Sequence, residues 1–593
     1  MLKLMPKDLK KLLKAALGEI ECDLALTNGK VVNVFTGEIL DATVYIYDGF
    51  IAHVDYDTPH DVISVPVKEI VDVHGQYITP GFLDAHMHIE STMLTPRNFA
   101  KVAIPSGTTT VITDPHEIGN VLGVPGVRYM HDSSSGLPMR QLIDAPSCVP
   151  AVPGMEYAGA DFQAAEIREI LQMERVVGLA EVMDFLAVIN GEDRILDILE
   201  EARKAGVYIQ GHIPGVSGRM LSAYLCAGPI SDHENRLGVE ALEEYRLGMY
   251  VDMRESSMTK NVEELWNGLK HSRYFDTLCL CTDDVESDDL LQVGHINAVA
   301  RKAIEHGMDP VDAIKSCTIN TAREIRMERL GAIAPGYVAD INIIPDLKEL
   351  WPSKVYFEGK LVAKDRQLVV DIPDQTYEIE EINTMHIGDL TADDFKLKAP
   401  IENGTVKINY MHYPSHDASV TELKSMDIEV KDGLLQLPHD DMKFVAIVNR
   451  HGKNNIALAV VEGIGLLRGA LASTVSHDSH NLTIVYDTPE NALLCANTLK
   501  ECGGGLCTVA DNEVLGLLPL PIGGLLSKVD AVETSKLADK LKEVDRSVGL
   551  TDIPNPLLRI AVLALPVIPY VKMSDLGMIE VITKRFVPVF AED

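Results

Sequence analysis

Positive charge is scarce in this chain. Its 593 residues carry 53 lysines and arginines against 88 aspartates and glutamates, a formal net charge of −35. Binding to duplex nucleic acid or to acidic membrane surfaces needs a basic stripe, so this balance argues against both partners. Cysteine is sparse as well. Nine residues, scattered and odd in number, do not make a disulfide framework and suit a reduced, cytoplasmic setting. No apolar run reaches the roughly 18 residues of a membrane span. Lys3, Lys7, Lys10, Lys11 and Lys14 interrupt the N-terminus throughout, which therefore reads as an amphipathic surface helix and not as an export signal. No Gly-x-x-x-x-Gly-Lys-Ser/Thr loop occurs, so nucleotide hydrolysis by that route is disfavoured. Gly463-x-Gly465-x-x-x-Gly469 misses the dinucleotide spacing by one residue and reads as turn and packing glycines.

What remains is globular, with 46% hydrophobic and 24% charged residues. Residues 1–79 are read as the N-terminal part of a small β-domain, and 23–80 read as β: Leu24–Thr27 and Lys30–Phe35 flank the hairpin dipeptide Asn28-Gly29, and Ala42–Tyr47 and Phe50–Val54 flank Asp48-Gly49. Across 80–330, short apolar runs such as Thr109–Thr113, Val176–Leu179, Val207–Gln210 and Leu278–Cys281 alternate with helical stretches such as Ile195–Ala205 and Val311–Ile325. Such alternation over about 250 residues predicts a parallel α/β fold of (β/α)8 type. Residues 331–370 return to β and are expected to join the N-terminal strands in one small domain. The acidic stretch 371–400, with Glu378, Glu380, Glu381, Asp389, Asp393 and Asp394, reads as a linker into a C-terminal α+β domain, 401–593.

The chemistry starts at His86-Met87-His88, directly after the strand-like Tyr77–Leu83. Alternate residues on a strand share a face, so two imidazoles at i and i+2 can meet one metal ion. Taken alone, the pattern is more often a pair of surface or satisfied histidines. Four more ligand-type residues follow apolar runs of strand length: Glu181 after Val176–Ala180, His212 after Val207–Gly211, His233 after Leu225–Ile230, and Asp283 after Leu278–Thr282. Their separations are 31, 21 and 50 residues, which suits successive strand ends with one unit skipped. Two histidines, a carboxylate, two histidines and an aspartate supply two hard or borderline metals with a bridging carboxylate. Asp114 and His116, in Thr113-Asp114-Pro115-His116-Glu117, can hold a further metal or orient the other ligands; the alternative is an Asx-type turn. Glu117 is a candidate to hand a proton to a substrate nitrogen. Arg254, Glu255 and Ser256 fall where the loop of a seventh strand should lie and can read a substrate edge, with solvated loop charges as the alternative. His477, Asp478 and His480 form either a hydrogen-bond knot or a closure over the barrel mouth.

Pro80-Gly81-Phe82-Leu83-Asp84-Ala85-His86-Met87-His88-Ile89-Glu90-Ser91, Asp114-Pro115-His116-Glu117, Cys281-Thr282-Asp283-Asp284 and Ser476-His477-Asp478-Ser479-His480-Asn481 together resemble the adenine deaminase family of the amidohydrolase superfamily. The resemblance covers nearly the whole chain and implies a (β/α)8 metal-dependent hydrolase barrel, a small composite β-sandwich domain and an α+β C-terminal domain. It implies a hydrolase of cyclic amidine C–N bonds that converts adenine and water into hypoxanthine and ammonia, in purine salvage or catabolism. His86, His88 and Asp283 would hold one metal, His212 and His233 the other, and Glu181 would bridge them where many amidohydrolases use a carboxylated lysine. The metals implied are Mn2+ or Fe2+, two per subunit, with Asp114 and His116 the place for a third. Asp283 would also be the catalytic base, its neighbour Asp284 being the alternative. Glu117, Glu90 or a neighbour of His233 would protonate the ring. Arg254, Glu255 and His477 would contact substrate. A homodimer is expected. No His-x-Glu…Pro-Cys-x-x-Cys pattern occurs, so the zinc site of the cytidine-deaminase type is excluded. The rivals are a cyclic-amide hydrolase, against which Glu181 in the bridging position speaks, and a silent assembly subunit, against which the full ligand set speaks.

Overall fold

The computed structural model describes residues 4–59, 62–374, 383–415, 420–553 and 555–591. Its centre is eight parallel strands: β1 (Phe82–Met87), β2 (Thr108–Thr113), β3 (Arg140–Ala145), β4 (Val176–Val182), β5 (Tyr208–Gly211), β6 (Ser231–Asp232), β7 (Tyr250–Arg254) and β8 (Leu278–Cys281). They pair as two arcs, β5-β4-β3-β2-β1 and β6-β7-β8, not as one uninterrupted ladder. A single parallel bridge, Met87 with Asp283, joins β1 to the end of β8, and the Ile230 amide donates to the Ile209 carbonyl at 3.0 Å across the other seam. Helices follow the strands. Every residue of β1 to β4 is buried, as expected of parallel strands covered on both faces.

Three local readings change. Asn28-Gly29 does not turn the chain: Cys22–Val32 is one strand. Asn28 takes a left-handed backbone (φ 54°) and the pairing with Ile39–Tyr47 shifts between Leu26 and Gly29, so the dipeptide makes a bulge. The apolar run before His233 belongs to helix Gly218–Ala227, and β6 is two residues long. The helix expected over 311–325 is two, Pro310–Ser316 and Ile319–Glu324. They part because the Leu83 amide takes the Cys317 carbonyl at 2.8 Å and the Thr318 hydroxyl donates back to the Ile314 carbonyl at 2.6 Å.

Strands from both flanks of the barrel build one mixed sheet, in which Tyr77–Pro80 lies antiparallel to Ile341–Ile344 and parallel to Cys22–Val32. The turns Asp48-Gly49 and Glu358-Gly359 have positive φ at both positions, the geometry of a two-residue hairpin. Residues 375–382 of the expected linker, with Glu378, Glu380 and Glu381, lie outside the described residues. Beyond them a second nine-stranded sheet packs with helices Pro489–Cys502 and Ala531–Ser547. This part reaches the mouth of the barrel through the loop between Ala470–Ser473 and Leu482–Tyr486 and through the segment around the short 3-10 turn Ala561–Ala564. Leu565, Val567 and Ile568 form one apolar cluster there with Cys148, Val152 and Met183.

Candidate active site

His86 and His88 stand two residues apart at the end of β1 and point their Nε2 atoms at each other, 3.1 Å apart. The opposite nitrogens are engaged. His86 Nδ1 lies 2.9 Å from Gln210 Oε1, and the Gln210 amide donates to the Ala85 carbonyl at 2.8 Å, so its oxygen is the acceptor and His86 the donor. His88 Nδ1 donates to the Asp114 carbonyl at 3.0 Å. With both Nδ1 protons so placed, two bare Nε2 lone pairs confront each other. A proton or a metal ion between them relieves the repulsion.

The carboxylates stand around that point. Glu181 on β4 splits its oxygens: Oε2 lies 2.6 Å from His212 Nδ1 and 3.3 Å from His233 Nε2, and Oε1 lies 3.5 Å from His88 Nε2, 3.5 Å from His116 Nδ1 and 3.9 Å from His86 Nε2. Asp283, just past β8 with φ 55°, puts Oδ1 3.2 Å from His88 Nε2 and 3.7 Å from His86 Nε2. Burial opposes charge on Glu181, yet the imidazoles of His212 and His233 hold it well below the usual carboxylate range. Burial also opposes charge on Asp283, and the Arg254 guanidinium overrides it. Burial and the neighbouring His233 and His88 rings keep His86 neutral. At His88 burial is outweighed by the hydrogen bond and charge of Asp283, which raise the ring well above its ordinary value, so a metal ion at Nε2 would take the place of a proton. Neutral imidazole and ionised carboxylates are the forms that bind metal, and N and O donors of this kind suit a divalent ion.

Around this cluster sits a second tier. The Asp114 carboxylate accepts from His116 Nδ1 at 2.8 Å. Ser91 Oγ lies 2.8 Å from Glu117 Oε1 and 2.6 Å from Asp284 Oδ1. One hydroxyl hydrogen cannot serve two carboxylates, so one of the two acids brings a proton of its own. Burial, and then the Glu90 carboxyl, raise Glu117 well above its ordinary value. Glu117 itself does not reach the cavity wall; Asp284 does. Of the two adjacent aspartates, Asp283 therefore faces the histidines and Asp284 the serine.

The cavity above has a volume of about 60 Å³; its wall includes Asp284, Arg254, His477 and Asp478. Arg254, at the end of β7, is buried between Glu234 and Asp283 and bonded to both. Glu255 is not part of this wall. Strand alternation turns it outward, into a separate cavity where Lys260 Nζ is 3.9 Å from its carboxylate. Several contributors were not named from the sequence, although Glu234 falls among the neighbours of His233 considered there. Gln210 and Glu234 had a signal: the first shares a strand face with His212, and the second is next to His233. Val562 and Leu565 line the cavity from some 280 residues beyond Asp283, with no local signal.

Parallel strands carrying these ligands at their C-terminal ends define a metal-dependent hydrolase barrel of the amidohydrolase class. A sequence model of the amidohydrolase family matches residues 77–362, and one of the adenine deaminase C-terminal domain matches 418–585. Adenine deaminase 2 of Carboxydothermus hydrogenoformans is 39% identical over 588 residues, 98% of this chain and all of that protein. The adenine deaminases of Kosmotoga olearia and Methanothrix thermoacetophila are 37% and 39% identical over 98% of this chain, covering 98% and 99% of theirs. The chain belongs to the adenine deaminase family. None of its described helices is long and apolar enough to cross a membrane.

Proposed function

We propose that this chain hydrolyses adenine to hypoxanthine and ammonia. The observation that carries the reading is Glu181, which divides its two oxygens between two histidine sets in a chain that aligns from end to end with adenine deaminases. His86, His88 and Asp283 would hold one Mn2+ or Fe2+ and His212 and His233 a second, with Glu181 between them. Divalent ions bound there would make a water acidic enough to attack the purine C6 at neutral pH. Asp283 is the base: kept ionised by Arg254, it takes the proton of the attacking water and returns it to the leaving ammonia. The proton on Glu117, relayed through Ser91 to Asp284 at the cavity wall, serves the ring nitrogen that gathers negative charge, and the second proton of the water, released as the C6 carbonyl forms, restores it. Arg254 acts on Asp283 and not on the purine, and His477 is the wall residue left to contact it.

The finer architecture belongs to the same proposal. The two arcs close as one (β/α)8 barrel over 80–330. Residues 1–79 and 331–370 form the composite β-sandwich, and 401–593 form the α+β domain after a linker. We take the protein as a cytoplasmic homodimer; its nine free cysteines suit a reducing compartment. The test is ammonia release from adenine by Mn2+-loaded protein, with Glu181→Gln beside it. Release that vanishes in the variant supports the reaction and the bridging carboxylate. Turnover of hydantoins or cytosine in place of adenine would refute the substrate.

A further inference from the structure

The loop Ser476–Asn481 brings a second set of donors to the barrel mouth. His116, His477 and Asp478 each aim a ligand atom into one region, all within 4.8 Å of one another. His116 Nδ1 gives its hydrogen to Asp114, so its Nε2 is a bare lone pair. That Nε2 lies 3.6 Å from Asp478 Oδ1, and His477 Nδ1 lies 3.7 Å from the same oxygen. His116 Nε2 and Asp478 Oδ2 are buried, with no hydrogen-bond partner among the described residues. Two buried acceptor atoms that face each other without partners need a proton or a metal ion between them, and the third donor, His477, makes the place one for a metal ion. The neighbouring His480 is different. The Ser476 amide donates to its Nδ1 at 3.2 Å, so its hydrogen sits on Nε2, which faces Glu117 Oε2 at 3.6 Å. His480 therefore turns an N–H toward Glu117, and not a lone pair toward a metal.

We propose that His116, His477 and Asp478 form a further divalent-cation site, separate from the one centred on Glu181, that fastens the C-terminal sheet to the barrel mouth. Asp114 is then no ligand of this ion. It orients His116, as carboxylates commonly do for metal-binding imidazoles. Two imidazole nitrogens and a carboxylate suit a first-row divalent ion, for which Mn2+ is the probe. Because His477 and Asp478 also line the cavity, the ion is reachable from it. The site stands on donor geometry and does not need the purine contact given to His477 above.

The test is a metal count by mass spectrometry on Mn2+-loaded full-length protein, with chelator-treated melting curves beside it. The expected result is about three ions per chain, about two in His477→Gln and Asp478→Asn, and about three in His480→Gln. Both ligand variants should also lose part of the rise in melting temperature that Mn2+ gives the parent. Anomalous scattering at the manganese edge from crystals of the parent guards against misfolded variants, and should show a peak among the three side chains. Two ions in the parent with no such peak would overturn the site, as would three ions retained in both ligand variants.

Discussion

Gln210 fixes the orientation of His86 from the far side of the ring: its Oε1 accepts from Nδ1 at 2.9 Å while its own amide is anchored to the Ala85 carbonyl at 2.8 Å. The amide can point only one way, and the imidazole is left with only one free nitrogen. A ligand so held loses little freedom when it binds metal.

Gln210→Leu keeps the volume and removes the acceptor. Metal affinity should fall about 10–100-fold, read by competition with a chromophoric chelator. Unchanged affinity would mean that packing alone sets the His86 tautomer.

Arg254 is bonded to both Glu234 and Asp283. Arg254→Met leaves two buried carboxylates without it and should cost about 3–5 kcal/mol of stability. Denaturant unfolding of the metal-free protein measures this directly, and a variant as stable as the parent would contradict the pairing.

Asp545 is buried on helix Ala531–Ser547 and accepts from the Thr508 hydroxyl. Burial pushes its pKa up from 3.8 to about 6, against the pull of that hydrogen bond. Between those two pH values the folded protein holds a proton that the unfolded chain has released, so stability falls as pH rises through this window. Above it the whole penalty is present. Asp545→Asn keeps an acceptor for Thr508 and has no such penalty. Its melting temperature relative to the parent should therefore be higher at about pH 7.5 than at about pH 4, by an amount worth about 2 kcal/mol. A difference independent of pH would rule out the shift.

Helices Gly238–Arg246 and Val262–Leu269 touch backbone to backbone. A Cβ at Gly268 would lie 2.4 Å from the Gly238 carbonyl oxygen. Gly268→Ala should cost about 1–3 kcal/mol, seen as a lower denaturation midpoint with an unchanged slope.

The residues that meet around Glu181 were legible because each closes a short apolar run, and strand alternation turns alternate side chains to one face. The same alternation explains why Glu255 was misplaced: it is one step past Arg254 and faces the other way. Gln210 escaped notice because amide side chains are not metal ligands, although it sits two residues before His212. Asn28-Gly29 has the composition of a hairpin turn, and nothing local distinguishes that from a bulge. The difference comes from Tyr77–Pro80 packing beside the same strand, where a Cβ on Gly29 would come within 2.3 Å of Ile78. Leu225–Ile230 is too short for its periodicity to tell a helix end from a strand. The wall formed by Val562 and Leu565 depends on how distant parts of the chain pack, and no nearby pattern records that.

That wall has a meaning in time as well as in space. All the residues around Glu181 lie between His86 and Asp283, while Val562, Leu565 and Ile568 are made about 280 residues later. At roughly 5–20 residues per second, a ribosome takes on the order of tens of seconds to cover that distance. A growing chain thus displays the donors around Glu181 to the surrounding ions well before the wall over them exists. Loading during synthesis meets an open barrel, whereas loading of finished protein passes a wall already in place. Enzyme given manganese while it is being made and enzyme given manganese afterwards should fill at very different rates.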